Sequence, residues 1–154
     1  HRNISFVTVH GNDGIMQAAA ASKGDLKILA VTVLTSLDRG DLDDLGFQCD
    51  VEELVLSRAR RAIHCGCDGV VASGHEAARL RDELGDRLMI VIPGIRPVEN
   101  TDDQKRTVTV QDAFSHGADY IVVGRPIRDA DNPREVAETV RREIASALMS
   151  ARPS

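Results

Sequence analysis

Residues 68–94 read DGVVASGHEAARLRDELGDRLMIVIPG. Asp68–Ser73 is a short valine-rich run with the look of a buried strand. Gly74–Leu84 follows as a helix and stops at Gly85, where the missing Cβ suits a helix end. Leu88–Ile92 is a second compact apolar strand, and it stops at Pro93-Gly94. Strand, helix and strand in so little chain imply parallel neighbours joined by a right-handed crossover.

The same rhythm extends both ways. Toward the N-terminus, Ile4–His10 is a β-branched strand ending at Gly11, and Asp13–Ala21 reads as an alanine-rich helix. Ile28–Leu34 is another strand, and Thr35-Ser36-Leu37-Asp38 turns the chain. Asp50–His64 then carries Val51, Leu54, Val55 and Ala62 on one helix face, with Asp50 as its N-cap. Toward the C-terminus, a polar loop runs from Ile95 to about Thr109 and a short helix covers Val110–His116. A last strand, Asp119–Val123, stops at Gly124, and Asn132-Pro133 opens a long helix reaching about Met149. Five strands alternating with five helices make an α/β fold in one domain over residues 1–154. Two architectures satisfy the pattern: an open doubly wound sheet, or part of a closed (β/α)8 barrel, which needs about 250 residues. Beyond the βα rhythm no internal repeat is expected.

Composition narrows the partners. The chain has 154 residues, 42% hydrophobic and 28% charged, with a net charge of −5. A nucleic-acid surface calls for a basic face, so nucleic acid is not expected, whereas a small anion needs only a few placed cations. Ile28–Leu34 and Tyr120–Val123 are far too short to cross a bilayer, so no membrane partner is expected. His1-Arg2-Asn3-Ile4 lacks a signal-peptide pattern and an initiating Met, the look of a processed or cut end. Cys49, Cys65 and Cys67 are an odd set without a disulfide framework, which points to the reducing cytoplasm. They read as small buried or half-buried residues, since no second ligand pair accompanies Cys65-Gly66-Cys67 and no metal is expected. Asp38 to Asp44 reads as a solvated acidic turn.

In α/β folds, chemistry sits at the carboxyl ends of the strands. Those ends carry His10-Gly11, Thr35-Ser36, Ser73, Pro93-Gly94-Ile95-Arg96 and Gly124-Arg125-Pro126. Gly124 lets backbone approach a ligand closely, and the next amide with the Arg125 guanidinium can grip an oxyanion. The preceding loop adds Arg96, Asp102, Asp103, Gln104, Lys105 and Arg106, and a phosphate site built from the last two βα loops is a recurring barrel feature. The plainer alternative is a surface arginine beside a solvated loop. For His10 the commoner explanation is a hydrogen-bonded histidine at a strand end, with ligand contact as the alternative. His64, His75 and His116 fall on helices or caps and read as surface residues. Gly-x-Ser-x-Gly, Walker and dinucleotide glycine patterns do not occur.

These runs carry a resemblance. Leu29 to Ser36 (LAVTVLTS) resembles the fifth strand of bacterial orotidine 5′-phosphate decarboxylases, and Asp68 to Ser73 their sixth. Pro93-Gly94-Ile95-Arg96 followed by Asp103-Gln104-Lys105-Arg106 is similar to the seventh strand and its phosphate-gripping loop. Ala118 to Ile127 (ADYIVVGRPI) resembles the eighth. The match runs from Val7 to the last helix, and the pairing of PGIR with DQKR is its specific part. The resemblance implies a (β/α)8 barrel of which this chain holds about five units. It implies a cofactor-free lyase converting orotidine 5′-phosphate to uridine 5′-phosphate (UMP), with sites at a homodimer interface. It places Thr35, with Ser36 beside it, against the pyrimidine. Arg96 and Gln104 would belong to the closing loop, Gln104 and Arg125 would hold the phosphate, and Gly124 would offer backbone contact to it.

The family's Asp-x-Lys-x-x-Asp run, which carries the chemistry, does not occur here, so no catalytic residue is expected in this chain. The lysines are Lys23, Lys27 and Lys105, and Asp25-Leu26-Lys27 precedes a strand instead of ending one, as a solvated strand entrance would. The expectation is that strands one to three lie outside this sequence. Two rival readings remain: a related sugar-phosphate decarboxylase or synthase barrel, which would usually use a metal, and a non-catalytic phosphate-binding fragment.

Overall fold

In the computed structural model, which describes residues 3–96 and 107–150, the strands are β1 (Phe6–His10), β2 (Lys27–Val31), β3 (Gly69–Val71), β4 (Met89–Ile92) and β5 (Tyr120–Ile121). The helices are α1 (Asp13–Ala21), α2 (Arg39–Asp44), α3 (Val51–His64), α4 (Gly74–Leu84), α5 (Val110–Ser115), α6 (Arg125–Arg128) and α7 (Pro133–Ser150). Every strand pair is parallel, and the order across the sheet is β1-β2-β3-β4-β5.

That order decides between the two architectures. A doubly wound sheet reverses direction at a switch point and carries helices on both faces. Here each strand lies beside its sequence neighbour, so right-handed crossovers put every helix on the same face, as in a barrel wall. The register shows the two faces. Ala30, Val70 and Ile90 are aligned across three strands and are buried against the helices. Val31, Val71, Val91 and Tyr120, one residue on, line the opposite face around a hollow of about 450 Å³. The sheet curls so far that Phe6 on β1 and Tyr120 on β5, its outermost strands, meet across this hollow with ring centroids 5.1 Å apart.

Helices cover the outer face because their apolar stripes match it. α3 buries Val55, Leu56, Ala59 and Ala62, and α4 buries Ala77, Leu80 and Leu84. Each fully buried side chain of valine or leucine size contributes about 1.5–3 kcal/mol from leaving water. α1 and α4 keep the bounds that the sequence predicts, and α7 opens at Pro133 with the Asn132 side chain accepting from the Glu135 amide at 3.3 Å.

The structure corrects several expectations. Asp38 to Asp44 is no loose turn: Asp38 caps α2, its carboxylate taking the Asp41 amide while the Asp41 carboxylate takes the Asp38 amide. α6 is a second short helix that composition does not announce. Asp50 stands at the N-cap of α3 but makes no capping hydrogen bond, and its carboxylate lies 3.4 Å from Arg39. The strands are shorter than the apolar runs: β1 and β4 begin later, while β2, β3 and β5 stop before the apolar run ends. Within the βα rhythm one junction recurs. In Gly66-Cys67-Asp68 and Gly117-Ala118-Asp119 a glycine with φ of 82° or 90° precedes an aspartate at the start of a strand. Asp68 accepts from the Ile28 amide at 2.9 Å and from Lys23 at 2.7 Å; Asp119 accepts from the Ile90 amide and from Arg81, both at 2.8 Å. Each aspartate thus ties its own strand to the one before it at the amino end of the sheet.

Candidate functional site

The carboxyl ends of β2, β4 and β5 bring Thr35, Arg96, Gly124 and Arg125 to one rim of the sheet. Gln104 lies outside the described residues, as do Asp102, Asp103, Lys105 and Arg106.

At the β2 end, Thr32 is buried, and both its amide and its hydroxyl donate to the Val71 carbonyl, at 3.1 and 2.8 Å. Its own carbonyl accepts from the Arg58 guanidinium. The chain then turns through Thr35, closed by the Leu37 amide on the Leu34 carbonyl at 3.0 Å, and enters α2 at the Asp38 cap. Thr35 is half-buried and Ser36 exposed, so a polar pair faces the rim.

At the β4 end, Gly94 has φ 75°, a left-handed conformation that costs a Cβ-bearing residue about 1–2 kcal/mol. This bend lets Ile95 form a parallel bridge with Val108, and the Arg96 amide donates to the Val108 carbonyl at 3.0 Å. Val108 in turn presses on Gly74: a Cβ there would fall 2.5 Å from a Val108 methyl. Arg96 is 6% exposed, with Nη1 donating to the Ile95 carbonyl at 3.0 Å. It borders a cavity of about 350 Å³ between α4 and α5, with His75, Asp112 and His116 among its walls. Thr35, Gly124 and Arg125 do not border that cavity. Arg96 therefore sits at the root of the loop in this conformation.

At the β5 end, the Val122 amide continues the ladder to the Ile92 carbonyl at 2.9 Å. Gly124 is exposed, and among the described residues nothing lies within 4 Å of where its Cβ would stand. Its carbonyl is taken by the Ile127 and Arg128 amides, each at 3.0 Å, which starts α6 with half-buried Arg125 as first residue. Arg128 beside Asp129 holds that carboxyl below the usual carboxylate range, with Arg125 adding to the positive field.

Ser73 leaves the candidate set. It is buried and caps α4, its hydroxyl taking the His75 amide at 3.2 Å while Glu76 takes the Ser73 amide at 3.1 Å. His10 is exposed, and its ring makes no hydrogen bond among the described residues, contrary to the commoner explanation. The residue that sequence reading passed over is Arg58. The signal was its spacing: with Leu54 and Ala62 it occupies one i, i+4 row on the apolar face of α3, where a charge must have a reason. Burial lowers the Arg58 guanidinium from its ordinary pKa, and the Arg61 charge adds to the effect.

A profile of the orotidine 5′-phosphate decarboxylase / HUMPS family matches residues 1–140. The orotidine 5′-phosphate decarboxylase of Methylococcus capsulatus is 69% identical over 145 residues, 93% of this chain and 60% of that protein. The one from Nitrobacter winogradskyi is 55% identical over 148 residues, 94% of this chain and 62% of that protein. The crystal structure of orotidine 5′-phosphate decarboxylase from Lactobacillus acidophilus superposes with a TM-score of 0.78 at 34% identity, covering 92% of this chain and 63% of that one. The chain thus spans about three fifths of the length of these relatives.

Proposed function

The chain belongs to the orotidine 5′-phosphate decarboxylase / HUMPS family, and from that premise we propose that it is the phosphate- and pyrimidine-contacting part of an orotidine 5′-phosphate decarboxylase. In this reading it is a partial (β/α) barrel domain that further βα units complete. The observation that carries it is the shared rim. A threonine turn, a glycine-arginine backbone corner and an arginine-rooted loop follow strands of one singly wound sheet, in a chain 69% identical to a protein of that name.

Arg125 and the Gly124–Arg125 backbone hold the phosphate, with Gln104 joining them; Arg96 roots the loop, and Thr35 meets the pyrimidine. A guanidinium suits a phosphate dianion because its planar donors bind two oxygens at once. Grip on this non-reacting group supplies binding energy that can be used at the distant carboxylate. Loss of carbon dioxide leaves an electron pair at C6 of the ring, which takes up a proton to give UMP. The acid that delivers this proton is not among the residues assigned to this chain. No cofactor enters the scheme, and the complete enzyme acts as a cytoplasmic homodimer.

Two measurements on the purified chain test the reading. UMP and inorganic phosphate are expected to bind in calorimetry, UMP the tighter. Orotidine 5′-phosphate absorbance is expected to stay constant in the presence of the chain alone. Failure to bind either anion would remove the assignment, and steady loss of absorbance would place catalytic groups within these 154 residues.

A further inference from the structure

We propose that Arg58 is a positioning residue for the Thr35 turn and sets the preference for a pyrimidine nucleotide over bare phosphate; the proposal rests on the function given above. One side chain joins three segments here. Its guanidinium donates to the Thr32 carbonyl at the end of β2. The guanidinium carbon stands 5.8 Å from the centroid of the Phe47 ring, within range of a cation–π contact. Its Cδ passes 3.6 Å from where a Gly11 Cβ would be, over the end of β1.

The Thr32 carbonyl needs this donor because the ladder fails there. Val31 pairs with Val71 in parallel register, and the Thr32 amide donates to the Val71 carbonyl, so the Ser73 amide would be the next donor to Thr32. That amide is instead given to Glu76 in the cap of α4. Without Arg58 a buried carbonyl three residues before Thr35 would lose its partner. The far side of the turn depends on the same group. α2 begins at the Asp38 cap, and the Phe47 amide closes the segment after it on the Leu42 carbonyl at 2.9 Å. The Phe47 ring then lies against Arg58. Between α2 and the strand ends lies a cavity of about 150 Å³, lined by Leu34, Leu37, Leu42 and Phe47 with Arg58 among them. The turn bearing Thr35 is thus fixed at both ends through one arginine, and spans soft space between them. Gly124 and Arg125 lie beyond two intervening strands and do not touch it.

The test uses the 154-residue chain with Arg58→Leu and Arg58→Lys. Affinities for UMP and for inorganic phosphate are measured separately, with amide exchange at Leu37 and Val122. In Arg58→Leu the UMP dissociation constant is expected to rise about tenfold, the effect of one lost hydrogen bond, while that for phosphate stays unchanged. Leu37 should lose protection and Val122 keep it. Arg58→Lys, which still donates to the carbonyl, should recover part of both effects. Equal weakening of the two ligands, unchanged UMP affinity, or unchanged Leu37 exchange would overturn the proposal. Should the unaltered chain bind neither anion, the decarboxylase reading itself fails, and Leu37 exchange alone then decides whether Arg58 holds the turn.

Discussion

Single residues at the rim divide into those proposed to grip the phosphate and those that set the path of the backbone. Arg125 belongs to the first group. A hydrogen bond between charged partners is worth about 1.5–3 kcal/mol, so Arg125→Ala should weaken UMP binding by about 10- to 150-fold in calorimetry. Its melting temperature should stay close to that of the parent, because the side chain is half-buried at the start of a short surface helix. Gly94 belongs to the second group. Its φ of 75° makes Gly94→Ala costly by about 1–2 kcal/mol, read as a lower urea midpoint. At the opposite end of the sheet, Asp68 makes stability depend on pH. Burial pushes its carboxyl up, but Lys23 and the Ile28 amide outweigh that, and the folded pKa lies below the ordinary value of 3.8. Such a group stabilises the fold fully above the unfolded-state pKa and loses its contribution as pH falls through the folded value. Urea midpoints taken from pH 6 to pH 3 should fall more steeply for the parent than for Asp68→Asn; parallel curves would show that this carboxylate does not govern the acid limb.

Elements show where sequence patterns suffice and where they stop. α1 and α4 were legible to the residue because an apolar face and a glycine or polar boundary act together. α2 was not, since six residues rich in aspartate resemble solvent-facing chain, and what makes them helical is a reciprocal cap that needs Asp38 and Asp41 at the right separation. The site divides the same way. Arg96, Gly124 and Arg125 are candidates read from strand ends, but the burial of Arg96 was not legible, because it follows from the bridge between Ile95 and Val108. Arg58 escaped notice because its partner is a backbone carbonyl, which no sequence pattern marks. The Val108 contact carries a prediction. Gly74 opens α4 and has no room for a methyl group against Val108, so Gly74→Ala must push the root of the loop away from α4. Overpacking of this kind costs about 1–3 kcal/mol. In the double variant Gly74→Ala, Val108→Ala, which restores space, much of the lost urea midpoint should return; strict additivity would mean that the two residues do not press on each other.

At the scale of the whole molecule, the five strands of the described residues form an arc, and among those residues its two ends are left open. β1 and β5 each have one strand neighbour, and Phe6, Val7, Tyr120 and Val122 near them are exposed. Unpaired parallel edges beside an apolar hollow of about 450 Å³ favour pairing with another chain. About two fifths of the relatives' length lies outside the part this chain matches, which is room for about three more βα units at about 30 residues each. Three parallel strands with their helices outside would join β5 back to β1 and cover Phe6 and Tyr120 inside a closed wall. The chain alone should therefore associate with itself as its concentration rises, seen as a growing mass in light scattering. Adding a separate polypeptide made of the unmatched part of the Methylococcus capsulatus relative should replace those species with a one-to-one complex. A chain that stays monomeric at high concentration and ignores the added segment would mean that the edges are already protected, and that the contact of Phe6 with Tyr120 closes the arc without further strands.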